Sequence, residues 1–272
     1  MMIFKCIVVL YNKKIPDSST LNSLKGIQDK HIEVHIFDNS DKNMGNSKYV
    51  ERTGWFYYTK GENIGISKAY NYVIDRNKDF STLTYFVMLD DDAEISGDFF
   101  KYLERELRVS KLDIGVPIIK VGKEIMSPSK VSALGRVKKI NDLKEVNQDN
   151  ITAINNGMVI NSEVFNTIRY NDKLFIDYVD HDFMRQARDN GFSIGTLHFI
   201  LNHNMSSEDT SISEESRLFR FNLYVSDLLT YFSSNDKHNL FGRIQILHMG
   251  FRYFLRYRNG KFLKIAIKRS NQ

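Results

Sequence analysis

The chain has 272 residues, 42% hydrophobic and 12% aromatic, enough apolar material for one large folded domain or one domain with an extension. With 3 prolines, 15 glycines and 26% charged residues, disordered, collagen-like and low-complexity chains are excluded; the single cysteine, Cys6, rules out a disulfide framework or a cysteine-built zinc site and leads us to expect a reducing, cytoplasmic location. The net charge of +5 belongs to the tail, because residues 214–272 carry 11 Lys/Arg against 4 Asp/Glu while the first 213 carry 27 against 29, so no nucleic-acid partner is expected and an anionic partner would meet the C-terminal quarter.

No run approaches the 18 or so apolar residues of a membrane-spanning helix. Residues 3–10 are too few for a secretory signal, are interrupted by Lys5 and precede no small-residue cleavage site, so they read as a buried strand. Further strands are expected at 32–37, 55–59 and 83–89, each ending in a polar cluster. Their near-continuous apolarity points to strands covered on both faces, hence a mostly parallel sheet with helices between. Helices are expected at 66–76 and at 99–109, where Phe100, Leu103 and Leu107 share a face. Strands at 114–121 and 152–160 follow, separated by a polar, mobile stretch from 138 to 150. A helix at 175–188 and a last strand at 192–201 complete this part. Residues 206–215 read as a linker to two amphipathic helices. One has a stripe of Leu218, Phe221, Val225, Leu228 and Phe232; the other has Ile244, Leu247, Phe251, Phe254 and Leu255, flanked by Arg243, Arg252 and Arg256.

Three of the early strands end in residues able to bind a ligand: Tyr11-Asn12-Lys13, Asp38-Asn39-Ser40 and Asp90-Asp91-Asp92. In open α/β sheets ligands sit beyond the carboxyl ends of the strands, so these clusters predict one crevice. A dinucleotide-binding dehydrogenase would place G-x-G-x-x-G after its first strand; Tyr11-Asn12-Lys13-Lys14 stands there instead. Three adjacent carboxylates repel one another, and alternate ones can direct oxygens at a hard divalent ion that keeps positions open for diphosphate. The bland reading is a solvated turn capping the next helix. A second constellation, Asp177-Tyr178-Val179-Asp180-His181-Asp182, puts Asp177 and Asp180 on one face if a helix begins there, where they serve either as caps or in catalysis. His203, just past the last strand, is either structural or a ligand.

Taken in order, Ile7-Val8-Val9-Leu10-Tyr11-Asn12, Asp38-Asn39-Ser40, Glu62-Asn63-Ile64-Gly65 with Asn71, Asp90-Asp91-Asp92, the segment from Leu174 to Phe183, and His203 resemble the family 2 glycosyltransferases over residues 3 to 205. Among these the sequence is most similar to bacterial rhamnosyltransferases and galactofuranosyltransferases of surface-polysaccharide synthesis. The resemblance implies the GT-A fold, Rossmann-like with a mostly parallel central sheet flanked by helices. It divides the chain into a catalytic domain at 1–205 (nucleotide half 1–92, acceptor half 93–205) and a basic helical extension at 206–272.

It also implies roles. Asp90, Asp92 and His203 would hold Mn²⁺ or Mg²⁺ on the donor diphosphate. Tyr11, Asn12 and Asp38 would cradle the nucleoside, with Asn63, Gly65 and Asn71 beneath it and Asp91 on the donor side, as in galactofuranosyl enzymes. Asp180 would be the base of an inverting transfer from a UDP- or dTDP-sugar. Val179 stands where a second acid is common, so Asp177 or Asp182 would share that role. Asn156, Gly157, Asp177 and His181 are expected on the acceptor side, and the pocket shape is set around Asn155-Asn156-Gly157 and 126–135. The acceptor would be a lipid-linked glycan, with residues 214–272 in peripheral contact with the inner face of the membrane; packing on the catalytic domain, or a homodimer through these helices, is the competing expectation. The competing functions are a non-catalytic nucleotide-sugar-binding or scaffold protein of the same fold, and a glycoside hydrolase.

Overall fold

The computed structural model describes residues 2–78, 83–202, 213–233 and 236–271. The first half runs β1 (Met2–Leu10), α1 (Ser19–Lys25), β2 (Ile32–Asp38), α2 (Asn46–Val50), β3 (Phe56–Thr59), α3 (Ile66–Asn77), β4 (Leu83–Leu89), α4 (Gly97–Ser110) and β5 (Ile114–Val121). There follow β6 (Glu124–Ser127), β7 (Ser129–Val131), β8 (Val137–Lys138), β9 (Ile151–Thr152), β10 (Val159–Asn161), α5 (Val179–Asp189) and β11 (Ile194–Asn202). Three helices close the chain: α6 (Glu214–Phe232), α7 (Asp236–Tyr257) and α8 (Gly260–Ser270).

The main sheet has the order β11-β5-β10-β4-β1-β2-β3, with β6 paired to β5; β7, β8 and β9 form a small second sheet. β1 pairs in parallel with β2 on one side and β4 on the other, and β2 with β3. Strand order therefore reverses at β1, and the crevice that such a reversal opens lies beyond the carboxyl ends of β1 and β4. β10 runs antiparallel between β4 and β5, which brings its amino end beside the carboxyl end of β4.

Alternation along the strands feeds two cores. Cys6, Val8, Leu10, Val87 and Leu89 meet α1 and α4 through Leu21, Leu24, Phe99, Leu103 and Leu107. Ile7, Phe37, Phe86 and Met88 meet α3 and α5 through Tyr70, Val73, Ile74, Phe183 and Met184. Each such side chain contributes about 1.5–3 kcal/mol by leaving water. Lys5 is accommodated in β1 because its ammonium reaches the Asn77 carbonyl at 2.8 Å and lies 3.6 Å from Glu33.

Four expectations change. Residues 152–160 are not one strand: β9 belongs to the small sheet and β10 to the main one, with the turn at Gly157 (φ 76°) between them. Residues 138–150 are organised by a capping box at Asp142 and Glu145, the Lys130–Glu145 ion pair and the Asn147–Asn150 turn. The helix expected from 175 begins at Val179, so Asp177 lies in the preceding loop and not on its face. The C-terminal part holds three helices sharing a core of Phe221, Val225, Leu228, Ile246, Phe262 and Ala266, onto which Tyr178 packs. The stripe expected on α6 is core, whereas on α7 Ile244, Leu247, Phe251 and Leu255 face outward and Phe254 is half-buried. No helix among the described residues is long and apolar enough to cross a membrane.

Candidate active site at the carboxyl edge of the sheet

The acidic turn after β4 is fixed from both sides. Thr20 at the start of α1 donates its hydroxyl to the carbonyls of Asp90 (2.5 Å) and Ala93 (2.9 Å), and Ser18 to that of Asp91 (2.6 Å). From the β10 side, the Asp90 N–H donates to the Asn156 side chain, and the Gly157 N–H to the Met88 carbonyl at 2.7 Å. A Cβ on Gly157 would stand 2.4 Å from Leu201, so only glycine lets this turn reach β4. The carboxylate of Asp91 turns to Lys13, 2.8 Å away. Asp90 is half-buried, and its carboxyl is pushed up to about 7, first by burial and then by the charges of Asp92, Asp180 and Asp91. Asp90, Asp92 and Asp180, from elements ninety residues apart, therefore share one electrostatic neighbourhood. Tyr70, fully buried beneath it, is held protonated by desolvation and by the charges of Asp90 and Asp180.

The residues expected on the nucleoside side are tied together by hydrogen bonds among the loops. Tyr11 is exposed and donates to Asp41 at 3.1 Å; Asn12 takes a left-handed turn (φ 50°) and donates its N–H to Ser40. Asn39 and Asn63 bond side chain to side chain at 2.8 Å, and the N–H groups of Ile64 and Gly65 close onto them. Asp38 is buried, and its carboxylate accepts from Asn46 (2.8 Å) and Tyr57 (2.9 Å). Asn71 spends its amide on the Tyr170 carbonyl and on Asp172, stapling α3 to the 170–172 segment. Gly65 (φ 84°) passes so close to Phe175 that a Cβ would meet its ring at 2.9 Å, and Ile66 donates to the Phe175 carbonyl.

Of the residues expected on the acceptor side, Asn156 and Gly157 lie beside the end of β4, and Asp177 and His181 lie at the start of α5. Asp180, in the first turn of α5, accepts from the N–H of the next residue, His181, whose ring bonds Thr152 at 2.8 Å. Asp177 is clasped by both guanidinium nitrogens of Arg220, and Asp182 is buried against Arg185 and Gln186. Both carboxylates, expected to share a role with Asp180, are thus engaged by other side chains. Asn155 accepts from the Tyr170 hydroxyl at 3.0 Å and lies buried next to Asn156.

Asp227, in the middle of α6, was not anticipated. It is 1% exposed and accepts three consecutive backbone N–H groups, from Phe175 (2.9 Å), Ile176 (2.9 Å) and Asp177 (2.8 Å). Burial pushes its carboxyl upward, and the three donors hold it down. With Arg220 on Asp177 and the Tyr231 ring stacked 4.8 Å from Tyr178, α6 thereby fixes the loop that delivers Asp180. No local pattern announces this, because the partners are about fifty residues apart; for Asn155 the Asn-Asn-Gly run was the available signal.

His203 lies outside the described residues. Among the described residues no group of three or more His, Cys, Asp or Glu has the arrangement of a metal cage. The donors that do come together, Asp90 and Asp92, suit a divalent ion shared with a ligand's phosphates, since such ions are held by one or two carboxylates and complete their shell with other oxygens.

The sheet order, the acidic turn and the helical flanks define the GT-A fold of glycosyltransferases. No family model matches the sequence, and no curated protein does. The chain is similar in structure to S. aureus TarS (TM-score 0.53, 16% identity, 93% of this chain and 43% of TarS), and to residues 1–349 of TarS in complex with UDP-GlcNAc (TM-score 0.53, 15% identity, 93% and 72%). It is also similar to GalNAc-T7 solved with UDP, GalNAc and Mn²⁺ (TM-score 0.66, 13% identity, 89% and 50%). The chain thus spans less than half of TarS and half of GalNAc-T7, and at these identities the likeness is one of fold.

Proposed function

We propose that the protein is an inverting glycosyltransferase that moves a sugar from a nucleoside diphosphate to an acceptor hydroxyl. The observation that carries this reading is the place of Asp90 and Asp92 at the carboxyl edge of a GT-A sheet, where the charge of Asp180 also reaches Asp90. Asp90 and Asp92, with His203, would hold Mn²⁺ or Mg²⁺; when bound, the ion supplies Lewis-acid neutralisation of charge on the departing diphosphate. Tyr11, Asn12, Asp38, Asn63, Gly65 and Asn71 form the wall and floor on the nucleoside side. Asp180 takes the proton of the acceptor hydroxyl as its oxygen bonds to the anomeric carbon. The bond from that carbon to the diphosphate breaks on the opposite face, and the electron pair leaves with the diphosphate. Asn156, Gly157 and His181 border the acceptor.

UDP-linked donors come first, because TarS was solved with UDP-GlcNAc and GalNAc-T7 with UDP, GalNAc and Mn²⁺. UDP-galactofuranose and dTDP-rhamnose complete the panel on the strength of the Asp90–Asp92 and Asp177–Phe183 motifs, with a lipid-linked glycan of surface-polysaccharide synthesis as acceptor. The test is release of UDP or dTDP from this panel with Mn²⁺ present. Turnover of one donor that collapses in Asp180→Asn supports the assignment. Silence across the panel, or glycan hydrolysis without any nucleotide sugar, overturns it.

A further inference from the structure

Five large apolar side chains of α7, Leu240, Ile244, Leu247, Phe251 and Leu255, are each between 40% and 64% exposed. Their spacings of three and four residues place them on a single stripe about 22 Å long. The helix cannot roll to hide them, because its other face is locked. Ile246 is buried in the C-terminal core, a Cβ on Gly242 would stand 2.6 Å from Phe232, and one on Gly250 would stand 2.3 Å from Ala266. His248 and Arg252 are exposed along one border of the stripe, and on α8 Lys264, Ile267 and Lys268 are exposed.

Charge identifies what fits. After Asp236 the sequence has nine Lys/Arg and no Asp or Glu. A second copy seated stripe against stripe would bring two cationic surfaces together, with no acid at the flanking positions to pair them. An anionic lipid surface complements both features: the apolar stripe enters the headgroup boundary, and the cations meet the lipid charge. We propose that α7 docks the protein on an anionic bilayer, lying in its plane. The stripe of α6 takes no part, since Phe221, Val225, Leu228 and Phe232 are buried. The inference is independent of the transfer chemistry proposed above.

The experiment is co-sedimentation of the full chain with phosphatidylglycerol vesicles and with phosphatidylcholine vesicles, repeated with Leu247→Ser/Phe251→Ser. Both side chains are exposed, so the variant keeps the parent's melting temperature. Binding to phosphatidylglycerol is expected, weakening with salt, and each cation at the surface strengthens it roughly fivefold. The double variant should partition at least about tenfold less, because two large apolar side chains no longer enter the headgroup boundary. A wild-type chain that stays in the supernatant, binds both lipids alike or is matched by the variant overturns the proposal. A wild-type dimer that the variant converts to monomer also overturns it and assigns the stripe to a second copy.

Discussion

Asp227 tests how far the C-terminal helices shape the site. In Asp227→Asn the amide oxygen can still accept from Ile176 and Asp177, but its NH₂ then faces the Phe175 N–H, formerly satisfied at 2.9 Å. One orphaned buried donor costs about 1–3 kcal/mol, and the two surviving bonds lose their charge assistance. The variant is expected to be less stable by about 2–3 kcal/mol, and Asp227→Ala, which orphans all three donors, by about 3–5 kcal/mol. For a chain of this size, 2–3 kcal/mol is a fall of roughly 4–12 °C in Tm. Calorimetry measures that, and turnover measured in parallel reads the loop. Residues 175–177 lead directly into Tyr178 (φ 60°) and Asp180, so kcat should drop at least about tenfold while nucleotide Kd holds. An Asp227→Asn protein that melts with the wild type and turns over normally would refute the reasoning.

Asp180→Asn should lower turnover by about 10²- to 10⁴-fold, the usual contribution of a positioned base, with nucleotide affinity near normal in calorimetry. Gly65→Ala forces a side chain into a left-handed turn against Phe175; a loss of at least about 1–2 kcal/mol in denaturant titration is expected. Burial lowers His35 to about 4, its bond to Glu33 only partly opposing this, so the unfolded chain binds a proton below 6.5 that the folded chain refuses. His35 therefore withdraws stability as pH falls from 6.5 to 4, by up to about 3 kcal/mol. Asp90 acts in the opposite sense. Raised from 3.8 to about 7, it keeps a proton that the unfolded chain releases, so the metal-free protein loses stability as pH climbs through that window. In EDTA, Asp90→Asn should then be more stable than the wild type above pH 7; equal denaturation midpoints there would contradict the crowding.

The elements of residues 1–92 were legible because they are local. Leu83–Leu89 is apolar but for Thr84 and ends abruptly in three acids, and Ile66–Asn77 has helical spacing, so period and boundary agree. Residues 152–160 misled because an apolar run on both sides of Asn155-Asn156-Gly157 reads as continuous, whereas the positive φ of Gly157 redirects the chain from one sheet to the other. The late start of α5 was hidden for a different reason. The N–H groups of residues 175–177 are claimed by Asp227 from a distant helix, a tertiary contact that no window of sequence contains. In sequence Asp177 and Asp182 could share the role expected of Asp180; the pairing of the first with Arg220 and of the second with Arg185 depends on contacts that local sequence does not contain.

The proposed transfer needs a nucleotide site bordered by the acidic turn after β4. Isothermal titration of UDP and dTDP into the wild type, with and without Mn²⁺, and into Asp92→Ala and Asp180→Asn, addresses it most directly. The expected result is binding of one nucleotide that requires Mn²⁺, weakens at least about tenfold in Asp92→Ala and survives in Asp180→Asn. Binding indifferent to both the ion and residue 92, or no binding of either nucleotide, would contradict it.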